Sequence, residues 1–198
     1  FQEVGDPVGM AIAQNKLGLA ERRDDTGAPE AWDARAERAE RHFAKALRLR
    51  RERDDRRGIA ETVNNLGVLA HEWAERLQGL PEADDAVAAQ WDLAWQRYGE
   101  AILVYEQLDD TLGIGYCLAN LGEVAENRRD WRRAVGLYAL AIRLLETVNA
   151  PILDAVRPML ARAAEAAGVP LPGDGDDEFD PAAPLHAQLL HWIGQAPA

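Results

Sequence analysis

Asn65 and Asn120 stand at one position of a recurring pattern, each directly ahead of a Leu-Gly pair. A carboxamide carries donors and an acceptor, so there it can pair with both the N–H and the C=O of one extended peptide unit. The competing reading is that each merely bonds its own helix backbone, since asparagine is a mediocre helix former with a short polar side chain. Catalytic arrangements are missing. The four histidines, His42, His71, His186 and His191, have no metal-ligand spacing among themselves. Neither a Gly-x-Ser-x-Gly elbow nor a Gly-x4-Gly-Lys phosphate loop occurs. Cys117 lies four residues before Leu121, a core-like position on the same helix, and is expected to be inert. Asp174, Asp176, Glu178 and Asp180 alternate as in a calcium loop but lack its central glycine and flanking helices. The expectation is a chain that is not an enzyme and carries no metal and no cofactor.

The elements that position these residues are legible as repeats. Gly9-x7-Leu17-Gly18 recurs as Gly58-x7-Leu66-Gly67 and Gly113-x7-Leu121-Gly122. Downstream of each comes a second pattern: Ala36-x2-Ala39-x3-Phe43-x2-Ala46, Trp91-x2-Ala94-x3-Tyr98-x2-Ala101 and Trp131-x2-Ala134-x3-Tyr138-x2-Ala141. The first pattern predicts a helix A and the second a helix B. Glycine inside a helix costs about 1 kcal/mol against alanine, so Gly18, Gly67 and Gly122 predict close helix approach. Ala134 and Ala141 share a face, with Tyr138 as the bulky knob between them. Such self-similarity predicts an all-α solenoid of antiparallel helix pairs.

Junctions repeat as well. Tyr105-x2-Leu108-Asp109-Asp110-x2-Gly113 matches Arg50-x2-Arg53-Asp54-Asp55-x2-Gly58, and Phe1-x2-Val4-Gly5-Asp6-x2-Gly9 at the start. That last copy, with no initiator Met, is read as the end of a lost helix B, so the chain is expected to be a fragment of a longer protein. The A-to-B distance is 9 residues from Gly122 to Trp131, but 18 from Gly18 to Ala36 and 24 from Gly67 to Trp91. Turn signals at Asp24–Pro29 and Gln78–Pro81 interrupt the extra residues, so the first two hairpins are expected to be the longer ones. The expected layout is a repeat domain over 1–168, with repeats at about 9–55, 57–110 and 112–150 and a capping helix over 151–168. An acidic Pro/Gly-rich linker over 169–184 follows, then a short amphipathic helix over 185–193. Leu185, Leu189 and Trp192 share a face of that helix and are expected to fold back onto the solenoid as an internal ligand.

Bulk composition excludes several classes. A net charge of −12 argues against a nucleic-acid partner, because phosphate binding needs a basic face. Residues 45–57 do hold seven basic side chains (Lys45, Arg48, Arg50, Arg51, Arg53, Arg56 and Arg57), read as a solvated face. No stretch approaches the roughly 18–20 apolar residues of a membrane span, and no signal segment is seen, so the expected location is cytoplasmic and off the membrane. Twenty of the 22 basic residues are arginine, a bias that fits a GC-rich, actinobacterial-like genome.

The paired patterns resemble the tetratricopeptide repeat, and most closely its subgroup of about 40-residue units with an Asn-Leu-Gly core and a Leu-Asp-Asp-x-x-Gly junction. That subgroup occurs in kinesin light chains and in the sensor arms of bacterial regulators and signal-transducing NTPases. The resemblance covers about residues 1–150, and departs from the pattern in the two long hairpins and in lacking an aromatic after each Leu-Gly. It implies a right-handed superhelical solenoid whose A helices line a concave groove holding a protein or peptide. Carried over position by position, the groove residues are Asn15 and Lys16; Asn64, Asn65, His71 and Glu72; and Tyr116, Asn120, Glu123, Glu126 and Asn127. Lys16 and Arg22 would make one end of that groove positive, and Glu72, Glu123 and Glu126 the other negative. The function implied is a non-catalytic binding module, the partner-sensing part of a larger bacterial protein. Two alternatives stand beside it: a scaffold region of an enzyme whose catalytic domain lies elsewhere, and a self-association arm.

Overall fold

The computed structural model describes residues 6–23, 31–171 and 184–194. The turn at 24–29, the junction copy at 1–5 and the acidic run at 174–180 lie outside them. Among the described residues the chain is all-helical, without strands. The helices are α1 (Pro7–Arg23), α2 (Ala31–Arg51), α3 (Arg56–Leu77), α4 (Asp84–Gln107), α5 (Thr111–Asn127), α6 (Trp131–Thr147), α7 (Leu153–Ala167) and α8 (Leu185–Ile193). They divide into two compact units, Phe1–Val104 and Tyr105–Ala198.

One device ends these helices. Asp54, Asp109, Arg129 and Asn149 all take the left-handed conformation, with φ of 51°, 52°, 62° and 49°. In each case the next residue's amide bonds to the carbonyl five residues back: Asp55 to Arg50, Asp110 to Tyr105, Asp130 to Ala125 and Ala150 to Leu145. The left-handed residue's own amide bonds to the carbonyl three back, so two otherwise orphaned carbonyls are satisfied. Asp55, Asp110 and Asp130 then cap the following helix, their Oδ1 accepting from Gly58 N (3.0 Å), Gly113 N (2.9 Å) and Arg133 N (3.3 Å). The Asp-Asp junction is thus a stop followed directly by a start. After α7 the same pair of bonds forms around Gly168, the residue best suited to the left-handed position. Arg129→Gly is therefore expected to stabilise the protein by about 0.5–1 kcal/mol, because a side chain pays for that conformation and glycine does not. A lower urea midpoint in the variant would contradict this.

Glycine and aromatic form the seat within each helix pair. A Cβ added at Gly18 would lie 2.6 Å from the Phe43 ring, and one at Gly67 would lie 2.8 Å from the Tyr98 ring. A Cβ at Gly122 would strike the Tyr138 ring. Phe43, Tyr98 and Tyr138 are at most 1% exposed. Residue pairing shows that the partners run antiparallel: Gly122 faces Tyr138 while the earlier Gly115 faces the later Leu145. In the first unit Gly67 meets Tyr98 while the later His71 meets the earlier Trp91. Helices α3 and α4, at 22 and 24 residues, outrun α5 and α6 at 17 each.

Two residues depart from the sequence reading. Leu66 and Leu121 are buried, but their counterpart Leu17 is 45% exposed on α1, beside exposed Val8, Met10 and Ile12. Arg50, read as part of a solvated basic face, is buried. Its Nη1 donates to Thr62 Oγ1 (2.8 Å) and to the Gly58 carbonyl, and its Nε lies over Gly58 beside the Asp55 carboxylate. Tyr105 stands at the same repeat position and covers Gly113 in the same way. One seat is filled by a ring and the other by a guanidinium.

In the second unit α7 packs on α6, and α8 lies on α6 with Leu189 and Trp192 buried and Leu185 half-buried. No helix among the described residues is long and apolar enough to cross a membrane.

Candidate functional site

In the first unit two of the polar residues drawn from the repeat pattern, Asn15 and Asn65, meet each other. Asn15 is buried, and its Oδ1 accepts from Asn65 Nδ2 at 3.2 Å and lies 3.4 Å from the Thr62 hydroxyl that Arg50 holds. Asn64 is half-buried and bonded, and Lys16 is exposed. The expected charge separation collapses here: Arg22 Nη1 sits 2.7 Å from Glu72 Oε1, so the positive end and an acidic residue neutralise each other. Burial pushes the Glu72 carboxyl up, and Arg22 opposes that rise.

His71 is buried edge-on against Trp91, with ring centroids 5.0 Å apart and Glu75 3.4 Å from its Nε2. Burial lowers its pKa below the ordinary 6.5, against the pull of Glu75. The folded protein thus holds His71 neutral while the unfolded chain takes up a proton below 6.5. This stability is complete above that pH and is lost as pH falls towards the lowered folded value. Unfolding free energy should therefore fall more steeply on acidification through this window in the wild type than in His71→Gln. Parallel curves for the two would contradict the assignment.

In the second unit Tyr116, Asn120, Glu123 and Asn127 follow one stripe of α5. Tyr116 is exposed, Asn120 and Glu123 are half-buried, and exposed Asn127 donates to its own helix at the Glu123 carbonyl (3.0 Å). Glu126 is engaged elsewhere. It accepts from Tyr138 Oη (2.9 Å) and from Arg162 Nε and Nη2 (2.5 and 2.9 Å). Burial raises its carboxyl, but the Arg162 and Tyr138 hydrogen bonds outweigh this and hold it below its ordinary value. The acidic end is thus partly consumed in fastening α7 to its neighbours.

A concave site lies on residues outside that set. On α3, Leu66, Leu69, Ala70 and Trp73 fall at i, i+3, i+4 and i+7 and form a floor. Glu40, Ala44 and Leu47 of α2 make one wall, and Gln90, Leu93 and Arg97 of α4 the other. The space divides into a larger part of about 340 Å³, rimmed by Arg48, Arg51 and Glu52, and a smaller one of about 40 Å³ beside Trp73 and Gln90. Glu40, Leu66 and Arg97 line both. Trp73 is held from outside by Trp32, whose ring meets it edge-on at 5.8 Å and carries the Arg76 guanidinium at 4.7 Å.

The charges around this space are mostly committed. Arg51 and Arg97 both reach Glu100, at 2.9 and 3.1 Å, and Arg48 lies 3.9 Å from Glu52. Glu40 makes no ion pair with the described residues. Gln90 Oε1 is buried with no hydrogen-bond partner, the one acceptor among the buried unpaired polar atoms of the described side chains. A buried unpaired acceptor costs about 1–3 kcal/mol. None of the eleven groove residues taken from the repeat pattern, Asn15, Lys16, Asn64, Asn65, His71, Glu72, Tyr116, Asn120, Glu123, Glu126 and Asn127, lines this cavity.

Among the described residues no three His, Cys, Asp or Glu side chains are grouped to hold a metal. Cys117 is fully buried, and that burial, with Asp110 nearby, pushes its thiol far up. No protein-family model matches the chain, and no curated relative matches it.

Proposed function

We propose that this chain is a non-catalytic protein- or peptide-binding module of tetratricopeptide-like helix pairs, wound as a right-handed solenoid. Its place is the cytoplasmic, partner-sensing part of a larger bacterial regulator. The threefold seat of Gly18 on Phe43, Gly67 on Tyr98 and Gly122 on Tyr138 supports the repeat reading. The observation that carries binding is Gln90, whose buried oxygen lacks a donor on the wall of a cavity floored by Leu66, Leu69, Ala70 and Trp73. A fold that tolerates such a group gains when a ligand supplies the missing proton.

The ligand chemistry follows from the walls. A lysine side chain of a peptide suits them: its stem lies along Leu66, Leu69 and Trp73, while its ammonium meets Glu40, which has no ion pair among the described residues, and draws the Gln90 amide round to present the Oε1 that is covered in the free chain. The test is selection from a peptide library on the full chain, followed by titration of the best binder and its lysine-to-norleucine counterpart. Lysine enrichment and an affinity drop of tenfold or more with norleucine are expected. Enrichment of acidic peptides, or indifference to norleucine, would count against it.

One observation favours self-association as a second reading. Val8, Met10, Ile12 and Leu17 leave α1 with 44–50% exposed apolar side chains. Sedimentation that depends on concentration, and ceases to do so in Met10→Glu with Leu17→Glu, would support it.

A further inference from the structure

Helix α8 occupies a seat that the other B helices do not have. Position 136 of α6 corresponds in the repeat register to Arg41 of α2 and Gln96 of α4, yet here it is glycine. A Cβ at Gly136 would strike the six-membered ring of Trp192. Three residues earlier Leu189 is 1% exposed, and Trp192 itself is 7% exposed. Polar contacts fix the register. Gln188 Oε1 accepts from Arg143 Nη2 of α6, and His186 Nδ1 lies 3.0 Å from each oxygen of Glu106. Glycine is a poor residue mid-helix, so its use where its counterparts carry long polar side chains has a packing reason.

We propose that this face of α6 is a helix-binding seat in which α8 is only the resident occupant. A partner helix with a leucine and a tryptophan three residues apart, and a carboxamide just before the leucine, binds there by displacing α8. Helix α8 has nine residues, well below the length at which an isolated helix persists in water, so its order comes from the seat. It is held chiefly through two apolar side chains and is joined to α7 through a segment rich in Pro, Gly and Asp. A tethered segment acts at an effective concentration in the millimolar range, so weak docking is populated without being permanent. A partner that fills the seat better competes at correspondingly lower concentration.

The probe is a fluorescent peptide of residues 184–194, titrated into the full chain. Its affinity for Trp192→Ala should exceed that for the wild type at least tenfold, because the resident helix no longer competes. The same peptide with its tryptophan replaced by alanine should not bind, and Gly136→Leu combined with Trp192→Ala should abolish binding. Equal affinity for wild type and Trp192→Ala, or no binding to either, overturns the proposal. Binding of the alanine peptide overturns it too, even where the Gly136→Leu protein fails to fold.

Discussion

Replacing Gly122 with leucine is expected to lower unfolding free energy by about 3 kcal/mol, the upper part of the usual range for overpacking. A single added Cβ already collides with the Tyr138 ring, which is fully buried and cannot swing into solvent. Pushing that ring also draws its hydroxyl away from Glu126, which in turn holds Arg162. For a chain of this size the melting temperature should fall by roughly 6–12 °C. Combining Gly122→Leu with Tyr138→Ala should cost less than the sum of the two changes, since each relieves the other's volume error. Additive costs would mean that glycine and ring do not share one space.

Arg50→Ala is expected to cost about 2 kcal/mol. Its carboxylate neighbours Asp55 and Glu61 are 43% and 47% exposed, so the ion pairs contribute little and their loss is not the main term. The loss comes from the Thr62 hydroxyl and the Gly58 carbonyl, which lose a charged donor in a dry junction, and from the packed stem. Arg50→Lys should recover little of it, because a lysine ammonium ends one bond short of Nη1, the single nitrogen that reaches both acceptors. Equivalence of Lys and Arg in chemical unfolding would contradict this.

The helical fold was readable because the Leu-Gly and Ala-aromatic-Ala patterns are local and occur three times. The close approach expected at Gly18, Gly67 and Gly122 needs only the neighbouring helix of the same repeat. What the chain withheld depends on partners distant in sequence. Arg50 sits in a run of basic residues and differs from Arg48 or Arg53 only in the direction it faces. Arg22 and Glu72, 50 residues apart in sequence and at opposite ends of the implied groove, sit 2.7 Å apart. The left-handed stops use Asp, Arg and Asn, so no single residue type announces them. Leu17 carries the same motif letter as Leu66 and Leu121, yet only packing tells that it is exposed. The cavity is assembled from Glu40, Trp73, Gln90 and Arg97 on three helices, and each of these alone reads as an ordinary helix-surface residue.

If the cavity holds a ligand, Gln90 is the residue that gains most from it, and one pair of unfolding curves tests this. Gln90→Leu should be more stable than the wild type without ligand, by about 1 kcal/mol, because a buried unpaired oxygen is removed. With the selected lysine peptide at saturating concentration, the wild type should gain more stability than the variant, since ligand stabilises in proportion to its affinity for the folded state. A variant that is less stable alone, and gains as much from the peptide as the wild type does, would show that Gln90 is structural and that the cavity does not hold the ligand.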